Sequence, residues 1–259
     1  MRMRARGLLL VALTVAFCMP LAAQKEPLRV FILAGEKTHG PAGNGLHDYP
    51  TFLTDWTKLL TARGAVVQGA LRFPTADELA RTDVLVIFKG DGGTCSPAER
   101  AVLEPYLTRG GGLVVLHDGM CSDDAVWFSK MAGAAKQHGE KNFSAGLIKL
   151  HFDDRVHPIT KGLSDFELDD EAFFLLRKAP EMHVLATAPL PSNGEVTPQV
   201  WVYETTMPGG QPFRSFVWMQ GHKYASFEVP ASQTLILRGI AWAGKRDVNL
   251  LQPSKPSSQ

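Results

Sequence analysis

The chain carries eight histidines, and each can exchange a proton near neutral pH or bind a metal. Their settings differ. His117 lies in the stretch GGGLVVLHDGMC (110–121), where a glycine run leads into apolar residues and then a sharp His-Asp-Gly. In many α/β enzymes the tip of such a strand holds a Ser or Cys nucleophile. Here a histidine stands there, with Asp118 beside it and Cys121 four positions on. His39 and His47 lie in the Gly- and Pro-rich THGPAGNGLHDYP, a loop that lets backbone approach a ligand closely. His47 precedes a predicted helix, whose dipole disfavours a protonated ring and so suits metal binding or proton acceptance. His222 follows a predicted strand in MQGHKY, after Gly221. His138, His151 and His183 read as structural or solvated residues. Two or three histidines with one carboxylate would make a zinc-type site. That is a constellation and not a motif, since HExxH is absent. The phosphate loop, GxGxxG and GxSxG are absent too, so a nucleotide cofactor and serine hydrolase chemistry have no support.

The elements that must position these residues alternate through the first half. Strands are predicted at 27–36, 65–71, 83–90 and 113–117, and helices at 49–64, after the capping box TADE (75–78), after SPAE (96–99) and at 125–133. This α/β pattern implies a mostly parallel sheet with helices on both faces. Ligands bind beyond the carboxyl ends of such strands. The segments EKTHGPAGNGLH, KGDGGTC and HDGMC should therefore meet at one edge, which adds Lys89 and Asp91 to the candidates. The second half adds strands at 147–154, 183–190, 198–206 and 214–222, then an amphipathic helix at 231–246. The acidic DDEAF (169–173) reads by itself as a solvated charge run.

MRMRARG followed by LLLVALTVAFCMPLAA has the form of a secretory signal, with cleavage expected after Ala23. Residues 24–250 are expected to form one domain and 251–259 a disordered tail, and export points to a bacterial periplasm or secretion. A formal charge of +1 gives no basis for binding nucleic acid or an anionic membrane. No coiled-coil heptad or other signature of an oligomer is visible. The two cysteines left after cleavage, Cys95 and Cys121, follow neighbouring strands, and the sequence leaves their pairing open.

Five segments together resemble the ThuA-like family, named for trehalose utilisation: AGEKTHGPAGNGLHDYP, GGGLVVLHDG, HPITKGLSDFELDDEAF, QVWVYETTMPGGQPFRSFVWMQGH and LILRGIAWAGKR. They span roughly residues 28–246. The resemblance implies a flavodoxin-like fold of the class I glutamine amidotransferase-like kind, with extra strands in the second half. In amidotransferases of that fold a Cys holds the elbow, whereas His117 stands there in this chain. The resemblance also implies a role in disaccharide catabolism, including proposed chemistry on sugars oxidised at the 3-position. A carbonyl acidifies its neighbouring C–H bonds, so a base can form an enediolate that an acid or metal stabilises. The family pattern assigns His117, Glu171 and His222 as catalytic. Asp170 and Arg214 support them, and His39, His47, Lys89, Asp91 and Asp118 join these two as substrate-binding. His47, His117 and His222 are the ligand set if a divalent metal such as zinc is bound. Family members often have a Tyr shortly after the Glu, where this chain has Ala172-Phe173. The expected partner is a small carbohydrate. The alternative is a periplasmic sugar-binding module without catalysis, whose platforms would be Trp127, Trp201, Trp218 or Tyr224. A third reading, an amidase, needs Cys121 as nucleophile.

Overall fold

A computed structural model describes residues 26–253. The signal read over residues 1–23, and residues 254–259 of the tail, lie outside the described residues. The first half is the alternating series that the hydrophobic pattern predicts: β1 (Arg29–Ala34), α1 (Tyr49–Ala62), β2 (Val66–Ala70), α2 (Ala76–Ala80), β3 (Val84–Phe88), α3 (Pro97–Thr108) and β4 (Gly112–Leu116). β3 and β4 are buried along their whole length, as continuous apolar runs in a covered parallel sheet must be. Both predicted capping boxes form: Thr75 with Glu78 opens α2, and Ser96 with Glu99 opens α3.

The second half holds β5 (Cys121–Ser122), α4 (Ala125–Ala132), β6 (Ala134–Gln137), β7 (Phe143–Phe152), β8 (Phe166–Phe173), β9 (Arg177–Lys178), β10 (His183–Pro189), β11 (Val196–Thr206), β12 (Pro212–Trp218) and α5 (Pro230–Ala243). One nine-stranded sheet runs β2-β1-β3-β4-β12-β11-β10-β7-β8. Its first five strands pair in parallel and the rest antiparallel. Strands β5, β6 and β9 make a small second sheet.

Topology decides where a ligand can sit. From β1 the chain moves to β2 on one side, then returns past β1 to β3 on the other. Such a reversal opens a crevice at the carboxyl ends of β1 and β3. β12 re-enters next to β4, so the loop after it reaches the same edge.

Under that edge lies an aromatic cluster. Phe88 at the end of β3 meets the rings of Tyr49, Phe52 and Phe227 at centroid distances of 4.7, 4.8 and 4.8 Å. It ties β3 to α1 and to the 3-10 turn at Tyr224–Phe227. The core continues past the predicted domain end, since Leu251 is fully buried and its carbonyl accepts from the Arg63 guanidinium. Cys95 and Cys121 are free, buried thiols. Trp201 and Trp218 are fully buried core residues.

Phe88 generates a stability prediction. Truncating a buried Phe costs about 3–5 kcal/mol, from lost transfer energy and the cavity left behind. Phe88→Ala should show that loss in chemical denaturation, and Phe88→Leu should recover at least half of it. Equal stability of Phe88→Ala and wild type would mean that this cluster does not hold the edge.

Candidate functional site

Three histidines from three loops converge at the carboxyl edge. His47 Nε2 lies 3.1 Å from His117 Nε2 and 2.8 Å from His222 Nδ1. The coordinating atoms of all three fall within 4.8 Å of one another. His47 and His117 are buried and His222 is half-buried.

Each ring is held from behind. His117 Nδ1 lies 2.9 Å from the Met219 carbonyl, which can only accept, so this nitrogen carries the proton and Nε2 presents a lone pair to the cluster. Its ring also stacks on Phe173 at 4.9 Å. His47 Nδ1 contacts Thr38 Oγ1 at 3.1 Å, and its backbone N–H donates to the His222 carbonyl at 2.9 Å. His222 is fixed through its backbone. Its N–H and that of Gly221 both donate to the buried Asp170 carboxylate at 3.1 Å, and Ser226 Oγ donates to it as well. Gly221 has φ +140°, and a Cβ there would lie 2.7 Å from the Phe227 ring, so only glycine lets the chain reach Asp170.

Carboxylates flank the rings. Glu171 Oε2 is 3.7 Å from His117 Nε2 and 3.8 Å from His222 Nδ1. Asp118 Oδ2 is 3.5 Å from His47 Nε2 and accepts from the Tyr49 hydroxyl at 3.3 Å. Burial governs the protonation states. Desolvation lowers His47 and His117 to about 3, so both are neutral at physiological pH. His222 is lowered for the same reason. Glu171 is raised to about 7, first by burial and then by the charges of Asp118 and Asp170. Burial raises Asp170 to about 6 against the opposing pull of its four hydrogen bonds.

Backbone strain concentrates here. Seven non-glycine residues among those described have positive φ, and four of them are His39 (60°), His47 (44°), Asp91 (48°) and His117 (48°). Each such conformation costs roughly 1–2 kcal/mol and persists only where surrounding contacts fix it.

The predicted residues sort clearly. His47, His117, Asp118, Asp170, Glu171 and His222 come together. His39 sits at the exposed mouth, its ring 4.2 Å from that of His47. Asp118 lies beside the cluster, but the group that orients His117 is the Met219 carbonyl. Lys89 stays on the same edge and donates to the Gly90 carbonyl at 3.1 Å. Asp91 pairs with His138 at 2.7 Å. Arg214 does not belong to the site. It lies near the start of β12, pairs with Glu204 at 3.0 Å and stacks 4.8 Å from the Trp242 ring. With a rise of about 3.3 Å per residue, a strand carries residue 214 to the far end from the loop that holds His222. The aromatic platforms do not form either. Besides the two core tryptophans, Trp127 is covered by the Arg100 guanidinium at 3.9 Å and the Tyr224 hydroxyl is bound to Asp55. Cys121 donates to Asp118 Oδ1 at 3.6 Å, and burial raises its thiol well above the ordinary range, which removes the thiolate an amidase would need. Sequence reasoning missed Thr38, Tyr49 and Phe173. The last was visible only as a departure from the family's Tyr.

A family model described as ThuA, trehalose utilisation, matches residues 44–243. Among solved structures, a ThuA-like protein from Bacteroides uniformis is 20% identical with a TM-score of 0.67, covering 87% of this chain and 95% of its own. A ThuA-like protein from Parabacteroides merdae is 17% identical with a TM-score of 0.67, covering 90% and 94%. These likenesses show the fold. No curated protein matches the chain.

Asp170 makes the arrangement testable. Replacing a buried acceptor strands its donors at about 1–3 kcal/mol for each unsatisfied group. Asp170→Ala should therefore lower the unfolding free energy by at least that amount, and the His222 ring resonance should broaden in NMR spectra. A variant with wild-type stability and an unchanged His222 resonance would refute the clamp.

Proposed function

The chain belongs to the ThuA (trehalose utilisation) family, which carries a carbohydrate-related role, and from that premise we propose that it is an exported enzyme acting on an oxidised disaccharide, a 3-keto sugar. We further propose that His47, His117 and His222 hold a divalent metal such as zinc. The observation that carries the reading is the convergence of three neutral imidazoles beside a carboxyl group poised near neutrality.

The donor set fits a cation. His117 turns a lone pair inward, and His47 Nε2 stands at short distance from both other rings. One proton on His47 Nε2 bridges only one of those contacts, whereas His47, His117 and His222 would each have a ring nitrogen to offer a cation. The outer hydrogen bonds also match what metal-bound histidines need: the Met219 carbonyl for His117 and the Thr38 hydroxyl for His47. A divalent metal bound there supplies Lewis acidity toward a sugar carbonyl.

The chain's own residues then have defined work. Glu171, raised to about 7, exists at neutral pH in both protonation states and can take a proton from the carbon beside a carbonyl. Asp118 and His39 border the cluster and offer hydrogen-bonding groups to sugar hydroxyls. Asp170 holds His222 in register and stays out of contact with substrate. The leader read over residues 1–23 supports export, so the working compartment is the periplasm or the medium.

Two measurements test this. Purified wild type should contain near-stoichiometric metal, and His117→Ala should contain only background. In D2O, wild type should exchange the hydrogen next to the carbonyl of 3-keto-trehalose, followed by NMR. Glu171→Gln should slow that exchange about 100-fold or more, the usual scale for a general base. Trehalose or keto-trehalose binding without exchange would establish a binding module instead. Full metal content in His117→Ala would sink the ligand assignment.

A further inference from the structure

Three exposed histidines pair with aspartates: His138 with Asp91 at 2.7 Å, His151 with Asp165 at 2.9 Å and His183 with Asp154 at 2.9 Å. Such pairs are common on surfaces, so the pairing alone assigns nothing. Position separates them. His151 lies on β7 and His183 opens β10, both in the antiparallel half. His138 follows β6, and its backbone N–H donates to the Ser122 carbonyl, five residues on from His117. Asp91 sits in the loop after β3, at the carboxyl edge that carries the histidine cluster. The next residue, Gly92, donates its N–H to the Asp118 carbonyl at 3.1 Å, and Gly93 donates to that of Cys121 at 2.9 Å. The loop that carries Asp91 is therefore seated directly on the turn that carries His117 and Asp118.

Asp91 is also one of the four strained residues of this edge, at φ +48°. The bond at 2.7 Å fixes the His138 ring against that carboxylate. It occupies His138 Nδ1. Among the described residues Nε2 has no hydrogen-bond partner, and the side chain is 60% exposed. A carboxylate on one ring nitrogen with the other left free is the arrangement by which an imidazole is oriented to pass a proton.

We propose that His138, oriented by Asp91, is the proton donor to the glycosidic oxygen that leaves the keto-sugar; this role rests on the keto-sugar reading above. The step is an elimination. Glu171 takes the proton from the carbon beside the carbonyl, and that C–H pair becomes a C=C bond. The C–O bond to the departing sugar breaks with its electrons on oxygen, and that oxygen receives the proton from His138 Nε2. The products are an unsaturated keto-sugar and a free sugar, and solvent returns both residues to their starting states. An elimination needs its oxygen protonated on the side where the departing sugar leaves to solvent, and the His138 side chain is 60% exposed whereas those of His117 and Glu171 are 0% and 12% exposed.

The test compares two leaving groups. His138→Asn keeps an amide N–H for Asp91 and removes the transferable proton. On 3-keto-trehalose its kcat should fall about 100-fold or more, the scale of a lost general acid. On 4-nitrophenyl 3-keto-glucoside, whose leaving group departs without protonation, it should fall less than about threefold. Metal content should match wild type. Equal losses on both substrates, or none on either, overturn the role of His138. Wild type that exchanges the C–H hydrogen but releases no leaving group also overturns it, while the keto-sugar reading stands. Wild type inert on both substrates overturns that reading and the donor role together.

Discussion

A single buried carboxylate, Asp170, joins the two halves of this protein. It sits on β8, at the antiparallel end of the sheet, yet it binds the backbone of the loop after β12, in the parallel half. Three strands in the sheet order, β11, β10 and β7, separate these two places, and the fold must curl to bring them together. A buried charge without partners would be costly, and here backbone N–H groups and the Ser226 hydroxyl meet it. The same bonds fix the chain on either side of Gly221, and so fix His222. The antiparallel extension is thereby part of the site: it delivers Asp170 to hold one histidine and Glu171, the next residue, to face the rings.

Alternation along a strand normally sends neighbouring side chains to opposite faces. Asp170 and Glu171 obey this. Asp170 points into the body of the protein toward Ser226, and Glu171 points toward His117 and His222. Two adjacent acids thus take different work from one backbone geometry. Burial then raises both, but Asp170 keeps several hydrogen bonds that favour its charged form, while Glu171 has none from backbone. That difference leaves Glu171 the more readily protonated of the two.

The parallel half was legible because its strands are unbroken apolar runs and its helices carry capping boxes. His117 and His47 were legible from topology, since strand ends at one edge must meet. β8 was not. The buried face of FELDDEAF runs Leu168, Asp170, Ala172, so an aspartate stands where the pattern calls for an apolar residue, and hydrophobic periodicity sees DDE as a surface run. Only the family resemblance drew Glu171 into the site. Arg214 was misplaced by treating a whole motif as one location, although a strand places its two ends far apart. His138 was passed over because its partner, Asp91, is distant in sequence, and nothing in either residue's neighbourhood announces the pair.

The histidine at the tip of β4 bears on how this fold can change its chemistry. A nucleophile elbow needs an exposed side chain that is anionic or that a neighbouring base can deprotonate. His117 is fully buried and neutral. Its φ of +48° turns the ring inward, over Phe173 and onto the Met219 carbonyl. Cys121, the thiol nearest that turn, lies against Asp118, whose charge adds to burial in opposing a thiolate. Asp118 also borders His47 and accepts from the Tyr49 hydroxyl. The carboxylate that borders the histidine cluster thus adds to burial in keeping the cysteine protonated, so one charge bears on both groups at this edge.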